Sequence, residues 1–513
     1  MNGAESLVRS LLLSGVDTCF ANPGTSEMHF VAALDKVDGM RCLLGMAEAV
    51  VTGCADGYAR MAGKPAATLM HCGPGLANGI SNAHNARRAN TPMVNIVGDH
   101  ATFHRPFDSP LTYDTVNLAR TVSDWVWTTE SSERIGTDGA AAVQAAMTPP
   151  GQIATLILPS DIAWSGGGKV AKPLPVPKRS EVSPETIRIV AEVLHKRERT
   201  VIVMSGMAIC EEGLVAAQRI AHVSGAMLKT STQVPRMARG RGRVPVDRIP
   251  YGIEKAMGVF EGVSHVVLVS ANPPTAFFGY PGKPSLLSPT GAKTYVLAKP
   301  EEDAVAALTS LADELGAPAN VEIPQYEIKP QVQKGPFEPI AFAKTLAALL
   351  PENCVVSEDA VTSGRSLFEP TFNAKPHDWI QITGGAIGQG FPSATGAALA
   401  CRDRKVVCLQ ADGAGMYTLQ ALWTQAREKL DIVNVVFANR MYKILHGELQ
   451  AVGAKPGAAS SELFDLARPE LDWISLANGM GVEASYVDSL ESFADVFSVA
   501  CGQSGPFLIQ FNI

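Results

Sequence analysis

The sequence lacks several features that would assign a protein to a class at once. No Cys-x-x-Cys pair occurs among its nine cysteines, and most of them lie within apolar stretches, so neither a zinc-ribbon pattern nor a disulfide framework is indicated. A run of about 18 apolar residues and the combination of a basic segment, an apolar segment and a small-residue cleavage site are both missing. We therefore expect a cytoplasmic protein with no membrane partner.

The charge balance excludes a further class. The 43 basic and 50 acidic residues leave a net charge of −7, and no long basic run is present, which argues against a nucleic-acid partner. One local exception is the stretch 236–243, RMARGRGR. We interpret its four arginines as part of a solvated loop, with an anion or phosphate contact as the alternative.

What the chain does contain is three blocks in which short apolar runs alternate with helix-like stretches. Its 513 residues, 46% of them hydrophobic, suit about three domains, and the alternation is typical of parallel strands joined by crossover helices. Connectors rich in Pro separate the blocks at 165–184 and 323–339. The predicted fold is α/β, with three doubly wound parallel-sheet domains, over 1–165 (N-terminal), 181–320 (central) and 335–513 (C-terminal).

Two polar side chains close neighbouring strands in the third block. Asp412, in the stretch QADGAG, follows one apolar run, and Asn439 follows the next. Ligands of an open parallel sheet bind outside the carboxyl ends of its strands. A carboxylate and an amide oxygen there suit Mg²⁺, and Gly413 and Ala414 leave room for backbone N–H groups to approach a phosphate. An ordinary helix N-cap is the simpler interpretation of Asp412.

The pairing of Asp412 with Asn439 resembles the thiamine diphosphate motif of 2-oxo acid decarboxylases and acetolactate (acetohydroxyacid) synthases, a Gly-Asp-Gly followed in the next strand by Asn-Asn. By that resemblance the cofactor is thiamine diphosphate, and Mg²⁺ is bound by Asp412, by the side chain of Asn439 and by the carbonyl of Met441. Two positions depart from the motif, because Ala411 replaces the first Gly and Ala438 the first Asn. Neither replaced residue is a metal ligand in the family, so we expect the site to persist with an altered cofactor affinity.

Thiamine diphosphate also requires a carboxylate against its aminopyrimidine, so that the imino tautomer can remove the thiazolium C2 proton and produce the ylide. Glu48 is the candidate, because it is the one charged residue in the apolar stretch 46–51. A solvent-facing helix Glu is the alternative for this segment alone. The segment is very similar to the family helix that carries the catalytic Glu, including the downstream Ala-Asp-Gly-Tyr-Ala-Arg at 55–60, which implies that Glu48 is the catalytic acid.

A third element, ITGGAIGQGFPSATGAALA at 382–400, lies before the metal-binding strand. Its glycines do not match the dinucleotide pattern G-x-G-x-x-G. It is similar instead to the family loop whose bulky apolar residue bends the cofactor into a V shape. Alignment on Pro392 places Ile387, followed by Gly388, in that role, whereas an ordinary buried Ile after a strand is the alternative.

The resemblance covers nearly the whole chain, as a pyrimidine-binding block, a central block and a diphosphate-binding block. It is strongest to benzoylformate decarboxylases, through NPGTSE at 22–27, LMHCGPG at 69–75 and ALWTQA at 421–426. In this family the Glu of one subunit reaches the diphosphate site of another. The resemblance therefore implies a homodimer or homotetramer with active sites at the subunit interface.

Candidate substrate residues also come from this resemblance. His71 matches an active-site His of benzoylformate decarboxylases, and Thr25 stands where those enzymes have a Ser that binds the substrate carboxylate. His100 and His104 lie in a loop where those enzymes lack them, and each is either catalytic or simply solvated. Leu445 stands where pyruvate decarboxylases have an acid, which favours a hydrophobic pocket that contributes to the cofactor site.

The predicted function is a Mg²⁺- and thiamine-diphosphate-dependent reaction of a 2-oxo acid. After the ylide attacks the keto carbon, the enamine is either protonated, as in a decarboxylase, or captured by a second carbonyl compound, as in an acetolactate-type carboligase. A C–C lyase or hydrolase acting on a dicarbonyl substrate is a related alternative. A binding protein that retains the fold stays open because of Ala411 and Ala438, and a FAD-bearing oxidoreductase because some relatives hold flavin between domains.

Overall fold

The chain forms three α/β domains, each built around its own mainly parallel sheet, which confirms the predicted fold class. The computed structural model describes residues 1–324 and 329–513, so that 325–328, in the second predicted connector, lie outside the described residues. None of the helices formed by the described residues has the length and apolar character of a membrane span. The exact domain limits stay a prediction.

The first sheet has six parallel strands in the order β2-β1-β3-β4-β6-β5. Its central strands are continuous apolar runs because helices cover both faces. The strands are β1 (Thr18–Asn22), β2 (Arg41–Leu44), β3 (Ala66–Met70), β4 (Met93–Asp99), β5 (Trp125–Thr128) and β6 (Ile153–Pro159). The helices are α1 (Gly3–Leu13), α2 (Met28–Leu34), α3 (Glu48–Ala62), α4 (Cys72–Arg88), α5 (Thr115–Arg120), α6 (Ile135–Met147) and α7 (Ser160–Trp164).

The central block forms a four-stranded parallel sheet in the order β11-β10-β7-β8. Its strands are β7 (Thr200–Met204), β8 (Met227–Thr230), β10 (His265–Val269) and β11 (Lys293–Ala298), while β9 (Met237–Arg239) leaves this sheet. Its helices are α8 (Pro184–His195), α9 (Glu211–Ser224), α10 (Ile253–Val259) and α11 (Ala304–Glu314).

The third sheet has seven strands in the order β16-β17-β15-β14-β12-β13-β9. Its parallel strands are β12 (Val355–Asp359), β13 (His377–Gln381), β14 (Val406–Ala411), β15 (Ile432–Ala438), β16 (Glu483–Val487) and β17 (Phe507–Asn512). Its helices are α12 (Pro339–Leu349), α13 (Val361–Gly364), α14 (Gly390–Ala400), α15 (Asp412–Gly415), α16 (Ala421–Arg427), α17 (Lys443–Ala451), α18 (Ala458–Phe464), α19 (Trp473–Gly479) and α20 (Leu490–Gly502).

The arginine-rich stretch 236–243 is only in part the solvated loop that we expected, because Arg236 and Arg241 are exposed whereas Arg239 is buried. Its first half forms β9, which pairs antiparallel with β13 and so adds a strand from the central block to the third sheet. Arg239 is fully buried, with its guanidinium 3.6 Å from the ring centroid of Phe368 and 4.8 Å from that of Trp379. A guanidinium is hydrated weakly enough to be buried in this way when aromatic faces and hydrogen-bond acceptors surround it.

Helix α3 of the first block packs directly against helix α14 of the third. Glycines make the close approach possible: a Cβ added to Gly57 would lie 2.1 Å from the Ser393 carbonyl oxygen, and one added to Gly396 would lie 1.9 Å from that of Cys54. The buried ion pair of Arg60 with Asp56 reinforces the junction, because the same guanidinium donates to the Gln381 carbonyl at 2.7 Å. The junction joins the helix that begins with Glu48 to the helix that follows the loop of Ile387.

Candidate active site

The carboxyl ends of β14 and β15 bring Asp412 and the turn at Asn439 together. Asp412 comes directly after β14, and its Oδ1 accepts from the Gly413 N–H at 2.8 Å. Its Oδ2 accepts from the Arg440 N–H, beyond the neighbouring strand, at 2.7 Å. The Asn439 side chain oxygen accepts from the Met441 N–H at 3.0 Å. The predicted metal-binding groups therefore lie close together at the carboxyl ends of two neighbouring strands.

The surroundings of Asp412 suit a bound cation. The residue is 2% exposed, and burial raises the pKa of its carboxyl. Within the part of the chain that the structure describes, no Lys, Arg or His forms an ion pair with it. A buried carboxylate without a counter-ion is costly, and the oxygen donors at this edge are those that Mg²⁺ prefers. A Cβ on Gly413 would lie 2.4 Å from the Tyr442 ring, so glycine keeps the backbone beside the carboxylate open, with Ala414 following.

The loop that precedes α14 is fixed by a carboxylate that sequence reasoning missed. One oxygen of Asp359 accepts from the N–H groups of Gly388, Gln389 and Gly390, at 2.8, 3.1 and 3.2 Å. Burial raises the pKa of Asp359 to about 6. Its signal in the sequence, an acid that ends the apolar run of NCVVSED, is the one that identified Asp412.

The loop is also held from its other side. The Gly388 carbonyl accepts from Thr418 Oγ1 at 2.7 Å and from Asn82 Nδ2, on α4 of the first block, at 3.3 Å. Gly388 itself has φ +95°, in the region that favours glycine. The half-buried Ile387 thus lies in a loop whose backbone is fixed at the next residue.

Helix α17, which carries Leu445, is only lightly packed. It contains no buried residue, and Leu445 is 39% exposed. Its Glu448 accepts from the hydroxyl of Tyr251 at 3.0 Å and from that of Tyr280 at 2.8 Å, and both tyrosines belong to the central block. Burial and the neighbouring Glu448 raise the pKa of the Tyr280 phenol to about 12, so it remains a donor. We call this arrangement the tyrosine clamp.

Glu48 is the first residue of α3 and is 7% exposed. Its Oε1 accepts from Asn22 Nδ2 at 3.0 Å, and its Oε2 is 3.3 Å from Asn78 Nδ2. A Cβ on Gly75 would lie 3.2 Å from Oε1. The carboxylate is therefore held by two amide donors in a close pocket, and no hydrogen bond among the described residues joins it to Asp412.

His71 forms a cluster with Glu27, Ser26 and Cys72. Its Nδ1 lies 2.9 Å from Glu27 Oε2 and 3.1 Å from Ser26 Oγ. Glycines provide the space, since a Cβ on Gly98 would lie 1.6 Å from Glu27 Oε1 and one on Gly24 would meet the His71 ring. Sequence reasoning identified His71 but not Glu27, whose indication is the acid that closes NPGTSE. Thr25 is exposed, and its neighbour Ser26 contacts His71 instead.

The two further histidines lie together in the loop that follows β4. The rings of His100 and His104 are 5.6 Å apart, and His100 Nε2 is 3.1 Å from Ser109 Oγ. His104 is exposed. Tyr113, at the end of this loop, covers the start of α4, because a Cβ on Gly73 would lie 2.3 Å from its side chain. Among the described residues, neither histidine forms a hydrogen bond with the His71 cluster.

Comparison with known proteins identifies the protein class to which this fold belongs. The class also accounts for the two parts of the candidate site, one around Glu48 and His71 in the first block and one around Asp412 in the third. Residues 1–116 match the thiamine pyrophosphate enzyme N-terminal TPP binding domain, and residues 366–511 match the C-terminal TPP binding domain. The Mycobacterium tuberculosis protein IlvX, named for an acetolactate synthase large subunit, is 47% identical over 99% of this chain and 98% of its own. The chain therefore belongs to the thiamine pyrophosphate enzyme family, which confirms the predicted family and indicates thiamine diphosphate as cofactor.

More distant relatives share the whole architecture. Benzoylformate decarboxylase of Pseudomonas aeruginosa is 24% identical over 97% of this chain and 96% of its own. Among solved structures, a thiamine diphosphate-dependent 4-hydroxybenzoylformate decarboxylase of Rhodococcus jostii superposes with a TM-score of 0.83 at 22% identity, covering 99% of this chain and 98% of that one. This structural similarity establishes the fold of three α/β domains.

Proposed function

We propose that the protein is a Mg²⁺- and thiamine-diphosphate-dependent enzyme that decarboxylates a 2-oxo acid or joins it to a second carbonyl compound. The observation that carries the proposal is the buried Asp412 at the end of β14, which has no ion-pair partner among the described residues and is hydrogen-bonded to the turn that bears Asn439. Asp412, Asn439 and the Met441 carbonyl would hold the metal, and Gly413 and Ala414 would leave the diphosphate access to backbone N–H groups. When bound, thiamine diphosphate supplies an electron sink for the pair released as a C–C bond breaks.

The protein's own side chains would position the cofactor and the substrate and would hold or transfer protons. Glu48, fixed by Asn22 and Asn78, would hydrogen-bond the aminopyrimidine and hold a proton there, in a pocket from which water is excluded. Ile387 would set the bend of the cofactor. His71, oriented by Glu27, would move a proton or bind the substrate carboxylate, with Thr25 at the entrance. Peripheral roles for His100 and His104 in substrate access stay a prediction.

An apolar acyl group is the substrate class that the pocket favours. Leu445, on α17, is apolar and 39% exposed, and the aromatic residues Phe277 and Phe278 of the central block are 37% and 53% exposed. Phe277 lies beside the Ile387 loop, because a Cβ on Gly385 would be 2.8 Å from its ring. The name of the M. tuberculosis relative favours carboligation, and that of the P. aeruginosa relative favours decarboxylation. Carboligation and decarboxylation share every reaction step up to the loss of CO₂.

A homodimer or homotetramer with active sites between subunits is part of the same proposal. Apolar side chains lie exposed in the loop after β4, where Phe103 is 66% and Phe107 76% exposed, and beside Gly388, where Tyr417 is 57% exposed. We propose that these side chains belong to a contact surface between subunits. A second copy of the chain would cover them and bring Glu48 to the Asp412 edge.

The test is calorimetric titration of metal-stripped protein with thiamine diphosphate, with and without Mg²⁺, followed by CO₂ release from benzoylformate and pyruvate. We expect Mg²⁺-dependent binding that Asp412→Ala abolishes and that Asp495→Ala, a change of an exposed acid on α20, leaves intact. Binding without turnover of either acid would favour the dicarbonyl lyase or hydrolase. If the wild type bound no cofactor, Ala411 and Ala438 would have ended catalysis and the binding-protein alternative would stand.

A further inference from the structure

The cluster around His71 contains a set of metal-binding atoms that is separate from the proposed magnesium site. One carboxylate oxygen of Glu27, Nδ1 of His71 and Sγ of Cys72 all lie within 4.8 Å of one another. The three residues come from two separate segments, the loop after β1 and the end of β3. Glu27 and Cys72 are each 1% exposed, whereas the His71 side chain is 23% exposed, so the cluster is buried but reachable from the pocket.

The distances are close to those of a tetrahedral zinc site. Zinc binds thiolate, imidazole and carboxylate at about 2.0–2.3 Å, which places neighbouring ligand atoms about 3.5 Å apart. His71 Nδ1 is 2.9 Å from Glu27 Oε2 and 3.8 Å from Cys72 Sγ. Small side-chain rotations therefore suffice for all three atoms to face one ion. Ser26 Oγ, 3.1 Å from both Nδ1 and Sγ and hydrogen-bonded to Glu27 Oε1, occupies the space between the three groups, so metal binding requires this hydroxyl to rotate away.

The backbone and the local charge support the same conclusion. Cys72 has φ +51°, an uncommon conformation for a non-glycine residue that directs its side chain into the cluster at the start of α4. The buried Glu27 has no Lys or Arg partner among the ion pairs of the described residues, only His71.

We propose that Glu27, His71 and Cys72 form a binding site for a divalent cation of the zinc class, separate from the magnesium site at Asp412. The donor sets distinguish the two ions, since sulfur and imidazole favour Zn²⁺ whereas an all-oxygen edge favours Mg²⁺. Binding replaces the proton of the Cys72 thiol by the metal and releases that proton to solvent. The fourth position, toward the pocket, stays open to water or to a substrate carboxylate.

Occupation of this site removes His71 from proton transfer. Zn²⁺ is therefore a reversible inhibitor that acts through Cys72, a statement that rests on the proposed function. The metal binding itself does not, and it is measured first and without substrate.

Cobalt is the probe, because a thiolate bound to Co²⁺ gives a charge-transfer band in the near ultraviolet. The full-length protein, with excess Mg²⁺ to fill the Asp412 site, is titrated with Co²⁺ and then with Zn²⁺. We expect one cobalt per chain with a thiolate band that Zn²⁺ removes. The band is lost in Cys72→Ser and kept in Cys42→Ser, which changes an exposed cysteine. His71→Gln weakens binding by at least about 100-fold, because even outer partners of a metal site contribute tenfold to 100-fold.

X-ray absorption of the zinc-loaded wild type needs no variant. One sulfur with nitrogen and oxygen neighbours supports the site, whereas oxygen and nitrogen alone overturn it. A thiolate band that persists in Cys72→Ser also overturns it. In the activity assay, inhibition of wild type and Cys72→Ser by Zn²⁺ to the same extent, each relative to its own uninhibited rate, places the effect at the magnesium site and overturns the inhibitory role. Failure of the proposed function would instead appear as absent thiamine diphosphate binding, with the cobalt result unchanged.

Discussion

The two halves of the candidate site differ in how far the protein supports them. Glu48 and His71, on the N-terminal half, are held by side-chain partners, respectively two amides and the Glu27 carboxylate. Asp412, on the C-terminal half, is held by backbone N–H groups, and Leu445 lies on a helix without a buried residue. The proton-handling half is thus built in advance, whereas the metal-binding half leaves space that a cofactor and its ion would fill.

The strongest test of this division asks whether the halves belong to one subunit or to two. Glu48→Gln and Asp412→Ala are each expected to lower activity by about 10³-fold or more, through loss of the proton-holding and metal-holding groups. If sites form between subunits, co-expression of the two variants restores about one quarter of the wild-type activity, because half of randomly formed dimers are mixed and each contains one intact site. The measurement is the specific activity of the doubly tagged mixed dimer, which should itself reach about one half of the wild-type value because one of its two sites is intact. A mixed dimer as inactive as its parents would place both groups of a site in one chain.

Asp359 is the firmly supported exception in the C-terminal half. Its pKa rises from 3.8 to about 6 on folding, a difference of about 3 kcal/mol. The stability that its protonated form contributes is present below 3.8 and is lost as pH rises through about 6. Asp359→Asn removes this ionisation, so its melting temperature should decline less than that of the wild type over this interval. If the melting temperatures of the two proteins changed with pH to the same extent over this interval, Asp359 would not titrate within it.

Gly98→Ala tests the advance construction of the N-terminal half. The new Cβ would displace the Glu27 carboxylate and with it the His71 ring. A misplacement of about 1 Å can cost about 100-fold in rate, so we expect kcat to fall by that order while thiamine diphosphate affinity is unchanged. The matched control is Gly258→Ala, whose Cβ would meet no atom within 4 Å. Equal loss in both variants would point to general destabilisation.

The tyrosine clamp should give the smallest effect. Tyr280→Phe removes one hydrogen bond to Glu448, of the order of 1 kcal/mol, and loosens α17. We expect KM for the 2-oxo acid to rise about fivefold, with the double change Tyr251→Phe, Tyr280→Phe exceeding either alone. Tyr486→Phe, at an exposed tyrosine, is the control. Unchanged kinetics in the double variant would show that α17 is positioned by other contacts.

The apolar runs of the sequence correspond to the central strands of each sheet and to one edge strand, β11, whereas the other edge strands carry no such run. Every strand named by an apolar run is present, including those at 406–411 and 432–438 that position Asp412 and Asn439. The strands that were missed, β2, β5, β8, β9 and β16, all lie at sheet edges. An edge strand is short and partly exposed, so it lacks the continuous apolar run of a strand buried on both faces.

The candidate site divides in the same way. Residues in contiguous motifs, such as Glu48 and His71, could be identified by resemblance. Asp359 and Glu27 each close a recognisable segment, but their roles could not be assigned from it, because those roles depend on which backbone N–H groups and which ring the fold brings to them. The tyrosine clamp joins residues of the central block to α17 across nearly 200 positions of sequence, at a separation of 197 between Tyr251 and Glu448. Such long-range pairs leave no local pattern.

The strand β9 has a consequence for how the protein can be divided or recombined. The third sheet takes its last strand from the middle of the chain, so a C-terminal fragment expressed alone would expose the hydrogen-bonding edge of β13 and empty the aromatic box around Arg239. Uncovered edges pair with other chains. The central block therefore covers the edge strand β13 of the C-terminal sheet. A chimera that exchanges the C-terminal domain between relatives must include residues 237–239 together with the third sheet.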